Sequence, residues 1–597
     1  MKLLAILPTH NATVGIFEDG ICKGIFQEEK FSDKKNHLGW PHRTLKYLSE
    51  KYDFSTFDNV IITSEQQFYF PDDRNHEDDS RYLNSYFGKI LNNLKNLYFY
   101  LWYKLGNNFV FDYIFRYALH NVSTPKTKEE IAKTLLRDLG IPKEKIKYVE
   151  HHLMHALTPY YFYGLNKNFE DVLFITVDGH GDDYFSRIYE YRHADKSFTK
   201  IAQSPYTASL GLLYAETTRF LGMKPDEHEY KVMGLAAYVS SKKYFEKIYQ
   251  KLSKIIRLNE ETLVFESDVN TFSSIYYYLK DNFVGERFDN IAAGVQQFLE
   301  DMMCRYIQSA IKKTGISTVA VSGGVFMNVK LNQRIMNLPE VEKVYFQPSC
   351  GDESSVIGDA AQVFMEGNVE LETIKTMYLG NDYSDNEVGK FIEENKLNDK
   401  YEVKYYETES ALFEKIVDLL KNFEIVGYFH GPGEWGARSL CNRTILGNAS
   451  DLSTFYKVND MIKMRDFWMP FAPTLLMEWA GKYIKDWDVL EPKIRDSSKY
   501  MIVTFDSTEL AQKHLRAAIH QKDKTLRPQV FEEQDNPSLY RLFKFYEKET
   551  GMGGMLNTSL NIHGYPLVGT LEQALFTLEN SGLKHLVLGS YYISKRT

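Results

Sequence analysis

Three histidines fall within five residues, His151, His152 and His155, in the stretch YVEHHLMHALTPYYFYG from Tyr148 to Gly164. His151 and His155 are four positions apart, so a helix places both imidazoles on one face, one turn apart. That is the arrangement two metal ligands need, and it is also one that two satisfied core histidines adopt. His152 points about 100° away and cannot join them from the same helix face. Two aspartates widen the set. Asp178, in ITVDGHGDDYFSRIYE, closes an apolar strand in a glycine-rich turn, where a buried carboxylate is unfavourable unless paired. Asp352, in YFQPSCGDESSVIGDAA, occupies a strand-to-helix turn, where it also suits an N-cap. Two imidazoles with two carboxylates form a mixed N/O donor set suited to Fe(II), Zn(II) or Mn(II) rather than to a soft-metal site.

A second kind of chemistry comes from AVSGGVFMN, Ala320 to Asn328. It reads as strand, Ser322-Gly323-Gly324, then helix, and bare backbone N–H groups at a helix start bind anions. Ser-Gly-Gly is also an ordinary turn. His10, in the polar turn THNATVGIFEDG, is placed to act as a general base, to bind phosphate, or simply to face solvent.

These residues need a frame. At 597 residues the chain exceeds one core and predicts at least two domains. The apolar runs Asn59–Ser64, Asp171–Gly179 and Ser317–Gly324 end in small or acidic residues, as strands of a central sheet do, and helical patterns such as Phe326–Met336 follow them. The pattern is α/β. The start of the chain reads as strand, turn, strand rather than as a signal peptide, because Pro8, His10 and Asn11 interrupt its apolar run. Tyr378–Lys400 is polar and turn-rich, which predicts a boundary near Asn398 and domains 1–397 and 398–597. A helix over Ser410–Asn422 and a strand over Glu424–Gly431 then restart the pattern.

The net charge of −9 argues against a nucleic-acid-binding chain. Four scattered cysteines without a C-x-x-C pair exclude a cysteine zinc site and predict a reducing, cytoplasmic setting. The most apolar stretch, Tyr98–Leu119, is interrupted by Lys104, Asp112 and Arg116, so it reads as a pair of helices in a core or an oligomer interface, such as that of a homodimer, or else as an interfacial helix resting on a membrane, rather than as a membrane span.

The motifs combine into a recognisable whole. HHLMHA, VDGHGD, EHEYKVMGLAAY, VSGGVFMN and CGDESS are followed by GPGEWGARSLCNRTIL, NDMIKMRDFWMPFAP, RPQVF and NTSLNIHGYPLV. In order and spacing the chain resembles the NodU/CmcH O-carbamoyltransferases from about residue 3 to 590. The resemblance implies an ASKHA (actin/Hsp70-like, Kae-type) first domain and a YrdC-like α/β second domain. It implies an enzyme that forms carbamoyl-adenylate from carbamoyl phosphate and Mg-ATP, then moves the carbamoyl group to a hydroxyl of a sugar or natural product. It implies a divalent metal, iron in the best-understood members, on His151, His155, Asp178 and Asp352, with His152 as their neighbour. It gives His10 the base role and places adenylate near Ser322, Gly323, Gly324, Asn328 and Lys231. In the second domain it implies carbamoyl phosphate and ATP binding by Arg438, Arg443, Lys463, Arg465 and Arg527, with hydrogen bonds from Asn557 and Ser559. Ala437, Cys441, Met469 and Leu560 depart from the common form of these motifs, and 72–121 matches none of them. An ASKHA sugar kinase or ATPase, or a catalytically idle nucleotide binder, are the alternatives.

Overall fold

The first apolar run forms β1 (Lys2–Leu7), and the turn at His10–Asn11 reverses it into the antiparallel β2 (Thr13–Glu18), followed by β3 (Ile21–Gln27). Asn11 takes φ 59°, a left-handed conformation that asparagine tolerates. Strands β4 (Asn59–Thr63) and β5 (Ile146–Val149) continue the sheet in parallel, giving the order β3-β2-β1-β4-β5. The chain here is a computed structural model that describes residues 1–63, 100, 103–104, 124–168, 170–239 and 241–596. Apart from residues 100, 103 and 104, the apolar stretch 98–119 and the unmatched segment 72–121 lie outside the described residues.

A second sheet repeats this plan. Strands β6 (Val172–Gly181), β7 (Tyr184–Arg192) and β8 (Ser197–Pro205) run antiparallel. A hairpin of β9 (Ile256–Asn259) and β10 (Val264–Ser267) intervenes, and β11 (Thr318–Ser322) and β12 (Lys343–Phe346) add in parallel. The order is β12-β11-β6-β7-β8, the same plan as the first sheet. No fixed sequence period announces this duplication, because the connections differ in length between the halves.

In both halves a helix follows the last parallel strand: α1 (His151–Phe162) after β5 and, beyond α2 (Val329–Met336), α3 (Ser355–Glu366) after β12. Nearly every residue of α1 is buried, so it is a central helix rather than an amphipathic surface one. Its start is fixed by Glu150, whose carboxylate accepts from the N–H of His152 (3.1 Å) and Leu153 (2.7 Å) and pairs with Arg187 at 2.7 Å. Gly358 of α3 lies against the carbonyl of Met154, where a Cβ would come within 2.1 Å. Only glycine lets the two helix backbones approach this closely.

The chain divides into two compact units, residues 1–23 with 36–374, and residues 24–35 with 375–597. The division falls between Ile374 and Lys375, not between 397 and 398 as the polar stretch suggested. That stretch is not a linker. Tyr378 donates its hydroxyl to the carbonyl of Leu440 at 2.7 Å, Gly380 bonds Gly433, and a capping box of Ser384 and Glu387 starts the helix Asp385–Glu394. Its polarity belongs to the exposed face of that helix. The second unit carries an eight-stranded mixed sheet, in which Arg443–Gly447 runs antiparallel to Val426–Phe429 on one side and to Gly554–Ser559 on the other. The predicted helix and strand after residue 409 form as Glu409–Lys421 and Val426–Phe429. No disulfide joins any of the four cysteines, and among the described residues no helix is long and apolar enough to cross a membrane.

Candidate metal centre and anion site

The start of α1, the end of β6 and the turn before α3 bring His151, His155, Asp178 and Asp352 together, with one donor atom of each inside a 4.8 Å span. His151 Nε2 lies 3.2 Å from Asp178 Oδ2 and 3.7 Å from Asp352 Oδ1. For His155 Nε2 the same distances are 3.2 and 3.3 Å. Donors placed about 2.1 Å from a common ion sit roughly 3–4 Å apart, so the cluster fits a cation. Its surroundings point the donors inward. Ser322 Oγ lies 3.2 Å from His155 Nδ1, which leaves Nε2 for the cluster. Asp178 Oδ1 accepts from the N–H of Gly179 (2.7 Å) and Gly324 (3.2 Å), which leaves Oδ2 for the cluster. Asp182 accepts from the His151 N–H at 2.9 Å. Gly181 makes room for the His151 ring, since a Cβ there would lie 2.1 Å from it.

Burial works against charge on His155, yet hydrogen bonds to Asp178 and Asp352 outweigh it and push the imidazole up to about 10. Burial likewise opposes ionisation of Asp178, and the hydrogen bonds from His151 and His155 hold it well below the usual carboxylate range. His152 differs: burial drives it well below the ordinary value, and its ring sits between Thr176 Oγ1 (3.0 Å) and the Tyr184 carbonyl (3.1 Å), outside the cluster.

The Ser-Gly-Gly turn departs from its expected task. Gly323 donates to the Cys350 carbonyl at 2.9 Å, Gly324 donates to Asp178, and Ser322 serves His155. Their polar groups brace the cluster instead of forming a bare anion cradle. Asn328 is likewise engaged, capping α2 through the Leu331 N–H and exchanging hydrogen bonds with Gln296. Lys231 is half-buried in the helix Glu229–Ala236. Just before that helix, Asp226 lies within the electrostatic reach of His10, Asp178 and Asp352. His10 is half-buried at a bridge to Leu38, and its neighbour Asn11 donates to buried Glu353 at 3.2 Å, beside Asp352.

Asp359, fully buried in α3, accepts from the Thr63 hydroxyl, and its Oδ1 has no partner among the described residues. Burial pushes its carboxyl up from 3.8 to about 8, against smaller opposite pulls from Thr63, His151 and His155. Between those values the folded protein keeps a proton that the unfolded chain has lost. This group's contribution therefore worsens as pH rises through that window. Asp359→Asn should melt higher than the parent by a margin that widens from about pH 5 to about pH 8, reaching on the order of a few kcal/mol. Thermal melts across that range check it, and a pH-independent difference would contradict it.

In the second unit, Arg438, Arg465 and Arg527 stand close together. Burial and the neighbouring charges of Arg438 and Arg465 hold the Arg527 guanidinium well below its ordinary value. Burial does the same to Lys463, with Arg465 and Lys35 adding to it. Lys463 Nζ donates to Ser559 O (2.6 Å), Ser559 Oγ (3.1 Å), Asn561 O (3.0 Å) and Asn561 Oδ1. Three half-buried arginines and a buried lysine that weaken one another in this way are chemistry suited to an anion.

Two of the expected anion ligands are engaged by protein groups. Arg443 is buried over the Phe429 ring, and its guanidinium donates to the carbonyls of Gly431 (2.8 Å), Asn442 (2.9 Å), Asn381 (2.9 Å) and His430 (3.3 Å). It clamps backbone, because four carbonyls converge on the guanidinium. Asn557 is saturated by Ser439, Thr474 and Thr444. The hydroxyl of Ser559 is spent on Lys463 and Asn561. Sequence reasoning missed Glu434, whose buried Oε1 accepts from the N–H of Leu440 (2.8 Å), Asn442 (2.7 Å) and Arg443 (3.2 Å). An acid among so many cations was its only signal. Cys441 sits at φ 79° with its thiol 3.2 Å from Thr474 Oγ1, a backbone that favours glycine.

The fold and sites thus define a mixed α/β protein with a His/Asp cluster that could hold a cation in one unit and a group of cationic side chains in the other. Comparison with known proteins adds the family. The family description "Carbamoyltransferase N-terminus" matches residues 2–361 and "Carbamoyltransferase C-terminus" matches 417–595. The chain belongs to the carbamoyltransferase family and is a transferase. An uncharacterized protein of Methanocaldococcus jannaschii is 30% identical over 487 residues, 79% of this chain and 76% of that one. Nodulation protein NolNO of Sinorhizobium fredii is 28% identical over 78% of this chain and 67% of its own length. The 3'-hydroxymethylcephem-O-carbamoyltransferase of Amycolatopsis lactamdurans is 24% identical over 47% of this chain and 49% of its own.

Proposed function

We propose that the chain is an ATP-dependent O-carbamoyltransferase of two stages. The second unit, a YrdC-like domain on this reading, uses one water to split carbamoyl phosphate into carbamate and phosphate, then joins the carbamate oxygen to the α-phosphorus of Mg-ATP, forming carbamoyl-adenylate and releasing pyrophosphate. The first unit, an ASKHA domain on this reading, transfers the carbamoyl group to a hydroxyl of a sugar or natural product. The duplicated strand order supports the ASKHA assignment. The observation that carries the proposal is that one unit holds a His/Asp cluster and the other a group of mutually weakened cations.

Carbamate is a poor electrophile, and joining it to AMP supplies a leaving group. Assembling that mixed anhydride gathers several phosphate charges, which Arg438, Arg465, Arg527 and Lys463 neutralise. His151, His155, Asp178 and Asp352 would hold a divalent ion, iron by resemblance and zinc or manganese by donor type. Such an ion supplies fixed positive charge for phosphate and carbonyl oxygens. An alcohol is barely acidic, so its attack needs a base, and His10 takes that proton in the turn that Asn11 ties to Glu353 beside Asp352.

His10→Ala should keep adenylate formation and lose transfer by about 10²–10⁴-fold. Parent-like carbamoylation of a hydroxylated acceptor by the variant would make His10 a turn residue only. The proposal as a whole is tested by incubating the protein with ATP, carbamoyl phosphate and a divalent metal. Carbamoyl-AMP and pyrophosphate are the expected products. ADP with a phosphorylated sugar would mark a kinase instead, and no turnover would mark an idle nucleotide binder.

A further inference from the structure

Residues 24–35 leave the unit that holds the rest of the N-terminal sequence and pack as part of the second. Their contacts there converge on one loop, Gly431–Arg443. Gln27, nearly buried, accepts the Gly436 N–H on Oε1 at 2.7 Å. Lys30, also buried, donates its ammonium to the Glu434 carbonyl. The segment itself is pinned from behind: Gln573 donates to the Lys30 carbonyl at 3.0 Å and to Asp33 at 2.6 Å, and Ile25 donates to Leu379. Gly569 permits the approach, since a Cβ there would lie 2.7 Å from that of Lys30. The gripped loop carries Arg438. Glu434 and Arg443 hold it from within, through the three N–H groups and the carbonyl clamp described above.

This scaffolding answers an electrostatic problem. Arg438, Arg465 and Arg527 repel one another, and a free loop would relax by swinging Arg438 into solvent. Fixing the loop before the ligand arrives keeps the charges where phosphate oxygens will sit. The same segment ends in Lys35, whose charge acts on Lys463.

We propose that Gly24–Lys35 is a working part of the phosphate site of the second unit: Gln27 and Lys30 are positioning residues for the Arg438 loop. The ligand class is an oligophosphate or acyl phosphate. The proposal rests on the reading that this unit binds the phosphates of the carbamoyl donor and ATP.

The test uses the full chain and inorganic pyrophosphate as probe, titrated by calorimetry, with melting temperature recorded in parallel. Lys30→Met, which keeps the stem and removes the ammonium from the Glu434 carbonyl, should weaken pyrophosphate binding about tenfold, and Lys30→Arg should restore it to within about threefold. Gln27→Leu, which keeps shape and removes the acceptor, should weaken it to a similar extent and raise KM for carbamoyl phosphate more than it lowers kcat. Parent-like pyrophosphate affinity in a folded Lys30→Met, or in a folded Gln27→Leu, overturns the proposal. Should one of the two not fold, the other still decides. Failure of the underlying reading looks different: the parent would bind pyrophosphate yet make no carbamoyl-AMP.

Discussion

Asp178→Asn should abolish carbamoyl transfer, by about 10³-fold or more, while leaving carbamoyl-adenylate formation within a few-fold of the parent. The amide can keep its oxygen toward the N–H groups of Gly179 and Gly324, so the turn survives. What it then presents to His151 and His155 is an NH2 group where Oδ2 stood at 3.2 Å from each imidazole. A donor without a free lone pair cannot bind a cation, and the remaining set loses one of its two negative charges. Metal content after dialysis and the rate of acceptor carbamoylation read the effect separately. A variant that keeps both would remove Asp178 from the site.

Lys463→Ala should act on the other stage. The ammonium is buried and held by four oxygens of Ser559 and Asn561, in a group where Arg465 and Lys35 weigh against its charge. Such a group is stable when an anion offsets it. Removing it takes away a cation from the phosphates and leaves the Ser559 and Asn561 acceptors unpaired. Carbamoyl phosphate-dependent exchange of pyrophosphate into ATP should fall by about 10²–10³-fold. Metal content should not change. An unaltered exchange rate would make Lys463 a strut between the Asn459–Lys463 turn and the Ser559–Asn561 turn and nothing more.

The cluster was largely legible in the sequence because its logic is local. A four-residue spacing on a helix has one geometric meaning, and carboxylates at the ends of apolar strands have few reasons to be there. Long-range support was not legible. Ser322 looked like a phosphate-turn residue and proves to orient His155, since the partner lies 167 positions away. Arg443 showed its charge in the sequence but not its direction, and it points at carbonyls. The polar run at 378–400 masked a helix with a capping box, which moved the boundary to Ile374. The excursion of residues 24–35 carries no compositional mark, because a buried Lys and Gln read as surface residues until their partners at Glu434 and Gly436 are known. The α/β alternation was plain, and the repeated strand order was not, because topology is conserved through pairing rather than through length.

The most direct test of the account is X-ray absorption spectroscopy on the purified chain loaded with Fe(II), Zn(II) or Mn(II). One ion per chain, ligated by two imidazole nitrogens and carboxylate oxygens and lost in His155→Ala, is the predicted result. An ion that keeps the same ligand shell in that variant, or a chain that takes up none of the three metals, would contradict it.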